Sequence, residues 1–181
     1  TEITAPIVVS ACNPHDTFLR WLKHPPASAT DLVRRWTNAR HDEGYESKID
    51  AVLSSAPILK CHQRALGPTT VIAPTLDDID AGHGLMQHGE VLHRPGMLVN
   101  VPTLLDPSMA PGGRHVFSLE ALFTPYGFNG GWGDERRQGA EPMRWLEAFA
   151  DVCEPGFLDS IIDWRAMTPN VYESDFHLPA G

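Results

Sequence analysis

The sequence has few cysteines and no paired cysteine motif. Cys12, Cys61 and Cys153 are far apart among the 181 residues, and no C-x-x-C occurs. We therefore expect neither a disulfide framework nor a zinc ribbon, and a reducing, cytoplasmic location fits best. Long apolar runs are also missing, since none approaches the ~18 residues of a membrane span. The first residues lack the basic start and apolar stretch of a signal peptide.

Positive charge is scarce. The chain has 14 Lys and Arg against 23 Asp and Glu, for a formal net charge of −9. A protein of this charge lacks the positively charged surface that binds phosphate backbones, so nucleic acid is not an expected partner. Hydrophobic residues make up 42%, while 15 glycines and 16 prolines interrupt the chain. This composition excludes disorder and coiled coil and indicates a loop-rich mixed fold.

Motifs that mark common active sites are absent from the sequence. It has no G-x-G-x-x-G, no phosphate-binding G-x-x-x-x-G-K-[ST] and no G-x-S-x-G nucleophile elbow. His83, His88 and His93 recur every five residues, which places successive rings ~140° apart on a helix rather than on one face. No metal site is therefore expected, and the chemistry has to be sought elsewhere.

Hydrophobic periodicity predicts an α+β fold, with a mostly antiparallel mixed sheet flanked by helices in one domain over residues 1–181. In the longest predicted strand, apolar residues alternate with polar ones, and Glu120 lies on the polar side. Glu120 either points into a cavity or faces solvent on the wet side of the sheet. In the strand predicted at 47–53, Lys48 and Asp50 lie on the polar side. Thr75 is the predicted cap of the helix at 76–86. The predicted strands cover 7–9, 47–53, 70–72, 97–101 and 115–124, and the predicted helices cover 16–22, 28–36, 76–86, 143–153 and 158–165.

Three segments carry a family resemblance. They are IVVSACNP at 7–14, DPSMAPGGRH at 106–115, and EPGF at 154–157 followed by TP at 168–169. In this order they resemble phytoene desaturase and carotene isomerase-like FAD-dependent oxidoreductases. The resemblance is strongest to the phytoene dehydrogenase-related branch, which includes the pyridine nucleotide-disulfide oxidoreductase domain-containing proteins.

The resemblance implies a piece of a longer flavoenzyme, because the family's glycine motifs for FAD are missing here. The chain would be the substrate-binding region, and its partner would be the missing FAD-binding domain of the same polypeptide. FAD would belong to that parent and would not bind this chain alone. Residues 1–14 would form a strand and turn returning from the FAD domain. Cys12, Asn13 and Pro14 would then approach the flavin, although a merely structural turn explains them as well.

In that parent, flavin would take a hydride from a C–H bond of an apolar, polyene or lipid-like substrate. The substrate would lie against one face of the longest strand. Either Phe117, Leu119, Ala121 and Phe123 line it, or the opposite face with Glu120 does. An alternative is a stand-alone ligand-binding or protein-interaction module without catalysis. A homodimer and peripheral contact with a membrane also remain open.

Overall fold

A computed structural model describes residues 2–39, 45–61, 64, 65, 67, 69–73, 75–133 and 139–180. The chain forms two compact units, 1–42 and 43–181. The first unit contains a π-helical turn, Asp16–Trp21, and helix α1, Thr30–Asn38. Within it the ring of His15 meets that of Trp36 edge-on, with centroids 5.7 Å apart. That residues 1–181 act as one substrate-binding domain stays a prediction.

The predicted buried strand at 7–9 is wrong. Ile7, Val8 and Val9 are not in a strand, and their exposed fractions are 80%, 83% and 87%. β-branched side chains favour a strand only when a neighbouring strand and a packed surface accept them. In the described part of the chain no strand pairs with this segment.

The second unit is built on a five-stranded sheet with the order β4-β5-β6-β1-β7, and each of its strand pairs is antiparallel. This confirms the α+β prediction. A separate two-stranded ladder joins β2 to β3. The strands are β1 Glu46–Leu53, β2 Ile58–Leu59, β3 Arg64–Ala65, β4 Thr69–Ile72, β5 Met97–Asn100, β6 His115–Leu122 and β7 Ile161–Met167.

The second unit also contains four α-helices among its described residues. The predicted cap at Thr75 is confirmed, because its hydroxyl accepts a hydrogen bond from the Asp78 amide at 3.1 Å. Such a bond satisfies one of the amides left without a partner at a helix start. The helices are α2 Leu76–Gln87, α3 Ala140–Ala150, α4 Phe157–Ser160 and α5 Pro169–Phe176.

One face of the sheet, which we call the packed face, forms the hydrophobic core. Phe117 on β6 lies 5.4 Å from both Phe149 of α3 and Phe157 of α4, measured between ring centroids. Trp145 and Leu146 of α3 are fully buried in the same cluster. The strand residues of the packed face are Ile49, Ala51, Leu53, Met97, Val99, Phe117, Leu119, Ala121 and Ala166.

The predicted helix at 158–165 is also wrong. Helix α4 ends at Ser160, and the chain continues as the edge strand β7, in which Ala166 pairs with Ile49. The apolar spacing of this segment matches a helical period, but pairing with the edge of β1 satisfies its backbone and overrides that local pattern. Helix α5, which follows, was not predicted, although its Pro169 stands at the first helical turn, where proline is favoured.

Candidate functional site on the open face of the sheet

The apolar residues predicted as a substrate wall lie in the core. Phe117, Leu119 and Ala121 have no exposed surface, and they belong to the cluster that α3 completes. Side chains packed in this way leave no room for a ligand. A ligand would therefore have to approach the sheet from its other side.

Phe123 stands apart from these three because it lies just beyond the end of β6. Its φ of 61° is rare for a bulky side chain. The ring is held by edge-on contacts with Tyr45 at 5.1 Å and His83 at 6.2 Å, and its amide donates to the Tyr45 carbonyl at 2.7 Å. These contacts stabilise an unfavourable backbone conformation and bury the ring.

The opposite side of the sheet, which we call the open face, carries the polar residues of the central strands. The register places Lys48 of β1 directly opposite Glu120 of β6, and Asp50 directly opposite Ser118. The β5 neighbours of Glu120 and Ser118 are Leu98 and Asn100, and the β7 neighbours of Lys48 and Asp50 are Met167 and Arg165. Two rows of mixed polar and apolar side chains thus cross the sheet.

Charge on the open face is unevenly paired. The Asp50 carboxylate forms salt bridges with both nearby cations. Its oxygens lie 3.1 Å from Nζ of Lys48 and 3.5 Å from Nη2 of Arg165. Glu46 and Glu120 are half-buried, and among the described residues neither forms a salt bridge or a side-chain hydrogen bond. Among the described residues, no salt bridge neutralises either carboxylate, although Lys48 lies directly opposite Glu120.

The charge of Glu120 acts on Glu46, and the charges of both glutamates act on a nearby tyrosine. Burial raises the pKa of Glu46, the charge of Glu120 raises it further, and Lys48 partly opposes this. Burial also raises the pKa of Tyr172 to about 12, with added contributions from Glu46, Glu120 and Asp50. Helix α5 thus places a tyrosine that keeps its proton close to three carboxylates.

Ser118 adds an unusual feature to the same face. Its exposed fraction is 9%, and its hydroxyl has no hydrogen-bond partner among the described residues. Buried hydroxyl groups nearly always have a partner, so an exception calls for an explanation. Its strand neighbours on either side are Asp50 and Asn100.

The residues predicted to approach a flavin lie in the first unit. The Asn13 side chain accepts a hydrogen bond from the His15 amide at 2.8 Å, and the Asn13 carbonyl accepts one from the Thr17 amide at 3.0 Å. Pro14 is half-buried, and the Cys12 thiol is exposed. In the described structure, Asn13 therefore starts a helical turn, and a role beside the flavin stays a prediction.

Sequence reasoning singled out Glu120 but missed its companions. Alternation along the strand 47–53 put Lys48 and Asp50 on the polar side, which is the signal that could have found Glu46 as well. Tyr172 comes from a distant helix that was not predicted.

Elsewhere, a surface cavity of about 190 Å³ lies between the loops at 55–58 and 154–157. Among the described residues no cluster of histidine, cysteine and acidic side chains could hold a metal, and no helix is long and apolar enough to cross a membrane.

Comparison with known proteins gives a partial match. The chain is 36% identical over 92 residues to the pyridine nucleotide-disulfide oxidoreductase domain-containing protein 2 of Rattus norvegicus, and 35% identical to the protein of the same name from Mus musculus. Over about half of its length, 49%, this chain is similar to an oxidoreductase domain-containing protein.

That relationship covers a small part of the relatives. The matched region is 49% of this chain but only 15% of either relative. No family model matches the sequence. The similarity supports an oxidoreductase-like region over the matched residues.

Proposed function

We propose that this chain is the substrate-binding part of an FAD-dependent oxidoreductase of the phytoene dehydrogenase-related kind. The observation that carries the proposal is the 36% identity to a protein named for an oxidoreductase domain. The sheet is consistent with it, because one face is closed by α3, while residues of the other face such as Glu120 and Leu98 keep part of their surface exposed. Ligand sites commonly combine such an apolar floor with a few placed polar groups.

The proposed substrate lies on the open face and is largely apolar, polyene or lipid-like. Leu98 and Leu122 are half-buried on this face, and Val71 of the edge strand β4 is 64% exposed. Together they offer an apolar surface beside the two glutamates. The reaction proposed for the whole enzyme is a hydride transfer from a substrate C–H bond to the flavin.

In the part of the chain that the structure describes, no residues form a cradle for FAD. A dinucleotide site needs a glycine-rich turn between a strand and a helix, where backbone amides meet the pyrophosphate. Gly130, Gly131 and Gly133 have positive φ values but lie in a loop at the wrong spacing, and Gly112 and Gly113 precede a strand instead of a helix. In the proposal, FAD is held by the rest of the enzyme.

The chain's own groups would position the substrate and keep water from it. Tyr172 retains its proton up to high pH, so its hydroxyl can donate a hydrogen bond to a bound molecule. Glu46 and Glu120 can accept hydrogen bonds from the same molecule. Helix α5 would close one side of the ligand site.

The exposed segment near the start of the chain fits the proposed partner domain. Ile3, Ile7, Val8 and Val9 are all at least 80% exposed. An exposed β-branched run can add a strand to another sheet. We assign this segment to the contact with the FAD-binding domain.

The mass and colour of the natural protein test this proposal. An antibody against this chain would isolate the product from its source, and its mass and visible absorbance would be measured. We expect a yellow flavoprotein much larger than 19.9 kDa. A colourless product of 19.9 kDa would contradict the proposed enzyme function and would favour a stand-alone binding module.

A further inference from the structure

We propose that the open face binds a neutral hydroxyl group of its ligand at Ser118, between Asn100 and Asp50. This deepens the proposed function by naming a feature of the substrate, and its role as a substrate rests on that function. The binding itself is a property of this chain and can be measured on it directly. The proposed molecule is an apolar alcohol.

The geometry of the site comes from one row of the sheet, to which each of the five strands contributes a polar residue. The register places these residues side by side in the order Thr69, Asn100, Ser118, Asp50 and Arg165. The Cβ atoms of directly opposite residues lie about 4.5–5.5 Å apart. A small group above the central residue can therefore reach the side chains on both sides of it.

The Ser118 hydroxyl is the observation that points to a ligand. The residue is only 9% exposed, and its Oγ has no hydrogen-bond partner among the described residues. Its side chain stands on the same face as Asn100 and Asp50, directly between them. An unpaired buried hydroxyl is costly, and a ligand group that bonds to it removes that cost.

The two neighbours of Ser118 are held from their far sides. The Thr69 hydroxyl donates to Oδ1 of Asn100 at 2.8 Å, which leaves the Asn100 amide nitrogen without a partner among the described residues. Lys48 and Arg165 hold the Asp50 carboxylate at 3.1 and 3.5 Å. A carboxylate has about four lone-pair sites, so Asp50 can still accept a bond. A donor and an acceptor thus flank Ser118, and both residues keep part of their surface exposed.

The charges of the row favour a neutral group. Asp50 already has two cationic partners, so a ligand cation would have to compete with them. An anion would be repelled by Asp50 and by Glu120, two residues along β6 on the same face. A hydroxyl group donates and accepts at once. It can therefore bond to Asp50, Ser118 and the Asn100 amide without introducing a charge.

The next row along the same strands provides an apolar surface for the rest of the ligand. Val52 of β1 lies directly opposite Val116 of β6. Val52 is 36% exposed, and Val116 is half-buried. A hydrocarbon chain attached to the hydroxyl group would cover these two valines, and its burial would add to the affinity.

Matched probes of similar size test the requirement for a hydroxyl group. Two-dimensional ¹⁵N–¹H NMR spectra of the 181-residue chain at pH 7 would be recorded during titrations with 1-hexanol, methyl pentyl ether and hexanoate. The ether accepts a hydrogen bond but cannot donate one to Asp50. We expect 1-hexanol to bind about ten-fold more tightly than either, and to shift the side-chain amide signal of Asn100. Equal binding of the ether, or no binding of 1-hexanol, would overturn the inference.

Variants locate the binding. Asn100→Asp keeps an acceptor for Thr69 but removes the donor, and it should weaken 1-hexanol binding about ten-fold. Ser118→Ala should weaken binding about five-fold. Ser55→Ala, at an exposed serine in the separate surface cavity, should leave it unchanged. Weakening by Ser55→Ala alone would place the probe in that cavity and eliminate the proposed site.

The stability of Ser118→Ala without any probe separates a ligand site from a site filled by water. Removing an unpaired buried hydroxyl should leave the melting temperature unchanged or raise it. A lowered melting temperature would show that the hydroxyl already has a partner, such as an ordered water, and would contradict the inference.

This test is separable from the test of the proposed function. A large yellow flavoprotein whose chain fails to bind 1-hexanol would retain the oxidoreductase and eliminate the hydroxyl site. A colourless 19.9 kDa protein that binds 1-hexanol through Ser118 and Asn100 would retain the site and eliminate the enzyme.

Discussion

The two faces of the five-stranded sheet are made by the same strands, yet they differ in almost every physical respect. On the packed face, Leu119 and its neighbours are fully buried and meet aromatic side chains of α3 and α4. On the open face, Lys48, Asp50 and Glu120 are half-buried, and their charges are incompletely paired. One residue of shift along β6 separates a fully buried side chain that stabilises the fold, Leu119, from one that keeps part of its surface exposed, Glu120.

This difference shows where function can lie in such a sheet. Side chains of the packed face contact one another, so a substitution there changes the free energy of unfolding. The open face contains groups that do not satisfy one another, which is costly to the fold and useful for binding. Substitutions on the two faces should therefore have different consequences, beginning with the largest.

Removing a core aromatic should produce the largest effect. Phe117→Ala deletes a ring that touches Phe149 and Phe157, and we expect the free energy of unfolding to fall by about 3–5 kcal/mol. Leu122→Ala, on the open face of the same strand, should cost about 1 kcal/mol or less. Urea denaturation of both variants measures the difference, and equal losses would contradict the distinction between the faces.

One buried hydrogen bond joins β1 to the segment just beyond the end of β6. The Ser47 hydroxyl donates to the Thr124 hydroxyl at 2.9 Å, and neither residue is exposed. Thr124→Val should cost about 1–3 kcal/mol, because it leaves the Ser47 donor buried without an acceptor. Adding Ser47→Ala should restore part of the loss in a double-mutant cycle, and strictly additive losses would show that the bond contributes nothing.

Two glycines of α2 test how tightly Phe123 is held. A Cβ atom on Gly82 would come within 2.8 Å of the Phe123 ring and 2.7 Å of Leu92, whereas one on Gly84 would meet nothing within 4 Å. We expect Gly82→Ala to destabilise the protein by a net ~1–2 kcal/mol despite its better helix propensity. Gly84→Ala should stabilise it by about 0.5–1 kcal/mol. Thermal melting of the two variants measures the difference. Equal shifts in melting temperature would contradict the expectation.

The smallest effect is expected from the open face itself. The pKa of Glu46 is raised in the folded protein, so the folded state holds this proton more tightly and loses stability as the pH rises through the interval above 4.5. Glu46→Gln should therefore raise the melting temperature slightly at pH 7 and leave it unchanged near pH 3, with an energy within the ~0.5 kcal/mol of exposed positions. A loss of stability at pH 7 would instead assign Glu46 a structural partner.

Elements with strong local signals were predictable from the sequence. Alternation gave β1 and β6, and the threonine cap gave the start of α2, because these patterns reflect the periods of single elements. Strand β7 was missed because only its pairing with β1 overrides a helical spacing. The strand predicted at 7–9 was wrong for the opposite reason, since no strand of the described chain pairs with its β-branched residues.

The candidate site was only partly predictable. Glu120 could be placed on the polar side of its strand by alternation alone. That Glu46 would be its neighbour depends on the register between strands some seventy residues apart, and a single sequence does not reveal it. Tyr172 joins them through a helix that was not anticipated, and its pKa depends on that tertiary contact.

The position of β1 in the sheet also constrains how the protein folds. β1 lies between β6 and β7, and the hydrogen bonds that fix it join residues 77 and 106 positions apart, Ser47 to Thr124 and Ser54 to Ser160. Contacts this distant in sequence make folding slow relative to that of helical proteins of similar size. During synthesis, β1 is the first strand of the second unit to be made, and it stays without its two strand partners until β6 and β7 follow.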